Sequence, residues 1–344
     1  MPAAVINRLA AALAIAGALS VPHTVSRADA FYQGKTLEII VASGVGDSYD
    51  VLSRLVGRHI GRHLPGNPAA VVQNMPGAGG ILAANQLYNL APRDGTVIAM
   101  LDQAVQETQL FKVPGLKADV TKMHWIGRII ANNAALIAWH TAAVQRISDA
   151  YSKDLIVSAS GSSSRLRWTI LKKLLALKLT LITGYKSSID GLMAMERGEA
   201  DAVSIPWTVF RVLHADLLRD NKVNVLLQTG LERAPDLPEV PRVVDLAHDD
   251  EQRQILELFS QAEKVGRSFT APPGLPPQRV ALLRAAFAAM LGDPAFLADA
   301  ERMKIELSPL PGEELQAIIE QSFAFSPTVV EKAGALIRSA EQDR

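Results

Sequence analysis

Leu37-Glu38-Ile39-Ile40-Val41-Ala42 running into Ser43-Gly44-Val45-Gly46-Asp47-Ser48, and Ala70-Val71-Val72-Gln73-Asn74-Met75 running into Pro76-Gly77-Ala78-Gly79-Gly80, decide how this chain folds. Each apolar run is short and bounded by small residues, and the first is rich in β-branched side chains, so it reads as a buried strand that ends in a turn. A helix is expected after each loop. Tyr49 to Leu64 sets Leu52, Leu55, Val56 and Ile60 on one face, with Asp47, Ser48 or Asp50 available as its cap, and Ile81 to Leu90 forms the second. Strand, Gly-rich loop and helix together direct backbone N–H groups and partial positive charge outward, which favours an anion. Tight βα turns alone would also account for either loop's glycines; two loops in tandem point further, to a ligand.

The pattern repeats downstream. Thr96 to Met100, Trp125 to Ile130 and Ala134 to Trp139 read as strands. Leu155-Ile156-Val157-Ser158 then leads to Ser160-Gly161-Ser162-Ser163-Ser164-Arg165 and a helix from about Leu166 to Leu177. Leu179 to Thr183 leads to Gly184-Tyr185-Lys186-Ser187-Ser188 and a helix over 189–196, and Ala202 to Ile205 leads to Pro206. Alternation of this kind argues for largely parallel, doubly wound sheets, whose ligands lie beyond the carboxyl ends of the strands. The doubling predicts two lobes with facing strand ends, the chain crossing near residues 130–142 and 262–272. Residues 31–135 plus 265–344 would form one lobe and 136–264 the other. Further helices fill the end of the chain; the one over 278–291 has an apolar face at Val280, Leu283, Ala286, Phe287 and Met290.

Residues 1–30 read as a secretory leader: Arg8, the apolar run Leu9 to Leu19, and Ala28-Asp29-Ala30 as the cleavage site before Phe31. The run is broken by Pro22 and His23, short of the roughly 18 apolar residues that a membrane span requires. Cleavage removes Arg8, Arg27 and Asp29 from 35 basic and 35 acidic side chains and leaves a formal charge of −1, a balance that does not suggest nucleic acid. The chain has no cysteine, hence neither a lipid-modified N-terminal Cys nor a disulfide.

Enzyme signatures are missing. There is no H-E-x-x-H, no G-x-S-x-G and no Cys nucleophile, so no catalytic residue and no cofactor are assigned. Gly34-Lys35-Thr36 imitates a Walker A end ahead of the first strand, and Tyr49 stands where a dinucleotide fingerprint needs its third glycine. His59 and His63, four apart on one helix, could pair on a metal, but with Arg54, Arg58 and Arg62 beside them a solvated basic face is the expected outcome.

Glu38 to Val41 with its loop, Val71 to Gly80, and Ala91-Pro92-Arg93-Asp94-Gly95-Thr96 together resemble the Bug family, the substrate-binding proteins of tripartite tricarboxylate transporters. Met195 to Asp201, Ala271-Pro272-Pro273-Gly274-Leu275-Pro276 and Asp293-Pro294-Ala295-Phe296 extend the likeness over nearly the whole mature chain. The resemblance implies a type II periplasmic-binding fold, a periplasmic location, a small carboxylate as ligand, and delivery to membrane permease subunits or a sensor kinase; a monomer is expected.

The expected ligand shell is Ser43, Gly44, Gly46, Asp47, Ser48, Pro76, Gly77, Ala78, Gly79 and Gly80 from the first lobe, with Ser160, Gly161, Ser162, Arg165, Tyr185, Lys186 and Ser187 from the second. The serines from 160 to 164 either meet the ligand or cap a helix. Arg165, placed in a first helical turn, would oppose the macrodipole and so wants a bound carboxylate or open solvent. Asp47 would repel a carboxylate unless it turns back to cap its own helix.

Overall fold

The computed structural model describes residues 31–185 and 187–342. The expected leader and its cleavage site near Ala30, and Lys186, lie outside the described residues, as do the side chains of Ser162 and Ser163. The strands are β1 (Thr36–Val41), β2 (Ala69–Asn74), β3 (Val97–Met100), β4 (His124–Ile130), β5 (Ala134–Trp139), β6 (Leu155–Ser158), β7 (Leu179–Ile182), β8 (Ala202–Pro206), β9 (Val223–Gln228), β10 (Arg267–Ala271) and β11 (Leu310–Pro311). They form two sheets, ordered β11-β4-β10-β3-β1-β2 and β7-β6-β8-β5-β9, with helices around both. This is the two-lobed α/β architecture expected.

The alternation along β1 shows why that strand carries apolar residues on both faces. Leu37, Ile39 and Val41 face helix Ser48–His59 and its Leu52, Leu55 and Val56, while Ile40 faces Ala83, Ala84 and Leu87 of helix Ile81–Asn89. Both faces are covered, as a parallel strand between two helix layers requires. Ile39 pairs with Val72 on one side and Ile98 on the other.

The sheets are mixed, however, and not largely parallel. β1 with β2 and β3, and β6 with β7 and β8, run parallel; β10 is antiparallel to β3 and β4, β11 to β4, and β5 to β8 and β9. The antiparallel members at the centre are strands that arrive from the other sheet, so the chain enters from the carboxyl end and must run back. Ile130 and Ala134 bracket one passage; Gln228 and Arg267 bracket the other, which contains helix Asp250–Val265. The two passages touch. Asn132 N–H donates to the Glu263 carbonyl (3.0 Å), Gly230 N–H donates to Asn133 Oδ1 (3.0 Å), and Gly266, with φ +54°, lies where a Cβ would run into the Ile130 carbonyl.

Several helices differ from expectation at their ends. The first stops at His59 and tightens to a 3₁₀ turn over Ile60–His63. Helix Gly161–Leu175 begins five residues earlier than read, because its first turn is built from small hydroxyl residues that resemble a loop. Helix Pro277–Leu291 buries Val280, Leu283, Ala286, Phe287 and Met290, the apolar face read from the sequence. Its Phe287 lies against Gly127 of β4, where a Cβ would come within 2.6 Å of the ring. Gly127→Ala should therefore destabilise the protein by about 1–3 kcal/mol through overpacking, measured by denaturant unfolding, and Phe287→Leu in the same chain should restore part of the loss.

Candidate functional site

The loop after β1 is fastened from beneath by a buried acid. Asp50, 2% exposed, accepts from Gly46 N–H (2.8 Å), Asn74 Nδ2 (2.9 Å) and Arg54 Nε (3.1 Å), while Asn74 Nδ2 also reaches the Ser43 carbonyl (3.1 Å). The Arg54 hydrogen bond first, then Gly46 and Asn74, hold the Asp50 carboxyl below its usual range against the cost of burial. One consequence corrects the expected shell: the Gly46 amide already has an acceptor. Ser43, Gly44, Asp47 and Ser48 remain at the loop surface, and Asp47 turns back to accept from Tyr49 N–H (2.9 Å), capping helix Ser48–His59.

The loop after β2 has four consecutive residues at positive φ: Gly77 (144°), Ala78 (47°), Gly79 (62°) and Gly80 (90°). Pro76 precedes them, exposed. Gly80 is the N-cap of helix Ile81–Asn89 and supplies no side-chain acceptor; a 3₁₀ turn over Ala78–Gly80 leads into the helix, with Gly80 N–H donating to the Gly77 carbonyl and Ile81 N–H to the Ala78 carbonyl. A Cβ on Gly80 would press on the Cβ of Asp102, 3.1 Å away, so the second loop abuts the segment that follows β3.

That segment holds residues the sequence reading passed over. The Tyr49 hydroxyl accepts from Gln103 N–H (3.1 Å) and donates to the Asp102 carboxyl, and the Arg267 guanidinium lies 4.2 Å over the Tyr49 ring, donating to Gln103 Oε1 and to Ser48 Oγ (3.4 Å). Burial raises the Asp102 carboxyl above its usual range; the Ala104 N–H and Arg267 oppose this and Asp47 adds to it. Asp47, Ser48, Gly80, Asp102 and Arg267 thus share one corner at the carboxyl ends of β1 and β3. Asp102 was open to discovery by applying the strand-end rule to the third strand as well as the first two. Arg267 was not, since its place follows from pairing over a long sequence distance.

On the second sheet, Ser160 is the N-cap residue of helix Gly161–Leu175 and makes no side-chain capping bond, so this helix too begins without a side-chain cap. Arg165 falls in the second turn, and the macrodipole argument for it loses its basis. Arg167, two residues on, pairs with Glu263. Two expected residues are engaged elsewhere. Ser187 caps helix Ser188–Glu196 in a reciprocal box with Asp190 (Asp190 N–H to Ser187 Oγ 3.2 Å; Ser187 N–H to Asp190 Oδ2 3.0 Å), and Tyr185 turns toward the exposed Arg197–Glu199 pair, where it helps hold the Glu199 carboxyl low after Arg197. His59 and His63 meet Asp299 (2.8 Å) and Asp293 (3.0 Å), with Arg58 and Arg62 on the same acids. The basic face is docked on helix Pro294–Arg302 and its cap.

Helices that follow strands of the two sheets meet around shared cavities. Ser48 and Val51 face Thr208 and Val209 across about 340 Å³. Ala104 and Glu107 face Leu166 and Arg167 across about 180 Å³. Burial pushes the Glu107 carboxyl up to about 8; the Arg167 charge opposes this and Asp102 reinforces it. A carboxyl that protonates more readily folded than unfolded weakens the fold as pH rises from the ordinary glutamate range toward 8. Glu107→Gln should therefore raise the melting temperature at pH 8 by a few degrees, at roughly 2–4 °C per kcal/mol, with the difference vanishing below about pH 4.5, near the ordinary glutamate pKa; melting scans across pH check this.

Comparison with known proteins follows the fold. A UPF0065 protein from Cupriavidus necator, encoded in the gbd 5′ region, is 23% identical over 345 residues, 95% of each chain. A TctC solute-binding protein from Polaromonas superposes with a TM-score of 0.66 at 19% identity, covering 88% of this chain and 98% of the other. MatC from Rhodopseudomonas palustris, solved with bound malate, gives 0.56 at 20% identity, covering 88% and 98%. The model of the tripartite tricarboxylate transporter family receptor, TctC, matches residues 54–336, and the chain belongs to that family of receptors.

Proposed function

We propose that this protein is a periplasmic receptor that captures a small carboxylate between its two sheets and presents it to the membrane subunits of a tripartite tricarboxylate transporter. The observation that carries the reading is the distribution of helix caps. Among the described residues, four helices of nine or more residues follow parallel strands: Ser48–His59 and Ser188–Glu196 are capped by the side chains of Asp47 and Ser187, whereas Ile81–Asn89 and Gly161–Leu175 have no side-chain cap. One such N-terminus belongs to each sheet. The Gly80 and Ile81 amides are held by the preceding 3₁₀ turn; the first-turn N–H groups beyond them, and those of the other helix, have no side-chain cap, and a carboxylate offers them an acceptor with favourable charge.

In this reading Gly77 to Gly80, Ser43, Ser48 and Arg267 receive the acid on one side, and Ser160, Gly161 and Arg165 complete the shell on the other. The lobes are residues 31–135 plus 265–344, and 136–264. A ligand that touches both only when they approach each other stabilises the closed arrangement by its differential affinity. The acids present are arranged to tolerate this: Asp47 is turned into its helix and Asp102 is shifted toward its neutral form. The malate held by MatC, a relative of the same fold, supports the ligand class. The mechanism requires binding and release only.

A thermal-shift screen of mono-, di- and tricarboxylates should give one responding class, with stabilisation of about 2.7 kcal/mol at a hundredfold excess over Kd. Arg165→Ala should then weaken that acid about tenfold or more, the scale of a hydrogen bond to a charged group. A flat response to every acid would end the carboxylate reading.

A further inference from the structure

The chamber between Ala104 and Leu166 is unlike the rest of the site. Its walls are apolar, with Leu166, Ile170 and Leu171 from one lobe's helix, Phe259 from helix Asp250–Val265 and Ile337 from helix Pro327–Gln342. A chamber of about 180 Å³ is close to the roughly 150 Å³ of an apolar cavity that accepts benzene. At its polar end stand Glu107 and Arg167, and behind Arg167 the buried Glu263. Glu107 Oε1 and Glu263 Oε2 are both buried without a hydrogen-bond partner, although Glu263 Oε1 pairs with Arg167. Buried polar atoms are rarely left so, and each costs about 1–3 kcal/mol if nothing meets it. Two of its lining residues stand next in sequence to proposed cleft residues: Ala104 follows Gln103, which accepts from Arg267, and Leu166 follows Arg165.

A short aliphatic diacid fits this poorly. Its second carboxylate would enter an apolar enclosure beside Glu107 and Glu263, at the cost of desolvating a charge next to acids. A flat apolar ring fills the volume, and a hydroxyl on it both donates and accepts, which suits Glu107 in either protonation state. We propose that the chamber is a subsite for the ring of a hydroxyaryl carboxylate, with the ring hydroxyl at Glu107 and the carboxylate outside, in the cleft. This rests on the carboxylate reading above and narrows it to aromatic acids.

Calorimetric titration of the full mature chain with 4-hydroxyphenylacetate, phenylacetate and adipate tests it. The expected order is 4-hydroxyphenylacetate at least tenfold tighter than phenylacetate, and both tighter than adipate. Glu107→Leu should abolish the advantage of the hydroxyl while phenylacetate still binds. Ala104→Phe, and independently Ile337→Phe on the half-exposed last helix, should weaken both aryl acids at least tenfold and leave adipate unchanged. Adipate binding tighter than both aryl acids, or cavity-filling variants that affect all acids alike, overturns the ring subsite and leaves the carboxylate receptor standing. No binding by any acid overturns both.

Discussion

Strand direction at the two passages is the constraint from which the site follows. β10 pairs antiparallel with β3, so its first residue, Arg267, lies beyond Met100; β5 pairs antiparallel with β8, with Ala134 opposite Pro206. Both passages consequently leave and enter at the carboxyl ends of the parallel strands, which is where open α/β sheets collect ligands. The same pairing that joins the lobes brings the helices after their strands to shared cavities, and it delivers a cation from residue 267 into a corner otherwise made by residues 47 to 103.

Electrostatics in that corner are set by how acids are occupied more than by how many there are. Asp50 is ionised and surrounded by donors, so it organises the first loop without projecting charge outward. Asp47 faces its own helix, and Asp102 is buried against the Tyr49 hydroxyl and Ala104 N–H. Arg267 sits over the Tyr49 ring, fixed by a ring face and two side-chain oxygens. A cation held this way is pre-organised, so little side-chain freedom remains to be lost when an anion arrives.

How much of this could be read from the sequence depended on whether the deciding contacts were local. Leu37 to Val41 was legible because a strand covered on both faces carries apolar residues on both, with Leu37, Ile39 and Val41 on one and Ile40 on the other, and Val280, Leu283 and Phe287 because helix spacing repeats within a few residues. The two Gly-containing loops were legible because positive φ leaves few alternatives to glycine. Ser162 to Ser164 were misread as a loop, since small hydroxyl residues suit helix starts and turns equally. The antiparallel sense of β5 and β10, the engagement of Gly46 by Asp50, the capping role of Ser187 and the outward turn of Tyr185 all depend on partners that spacing does not reveal. Asp102 needed only the strand-end rule; Arg267 needed the fold.

The position of β10 also bears on how the polypeptide reaches this state. It separates β3 from β4, so the first sheet lacks a central member until residues 267–271 have been made. A nascent chain that ends near residue 230 would contain the strands of the second sheet, whereas the first would be two fragments with open edges, a template for mispairing. The last helix, Pro327–Gln342, then covers helix Gly161–Leu175, where Lys173 donates to Ser339 Oγ at 2.7 Å. Order of synthesis and order of completion are therefore reversed for the two sheets: the lobe that begins first closes after the one nested within it.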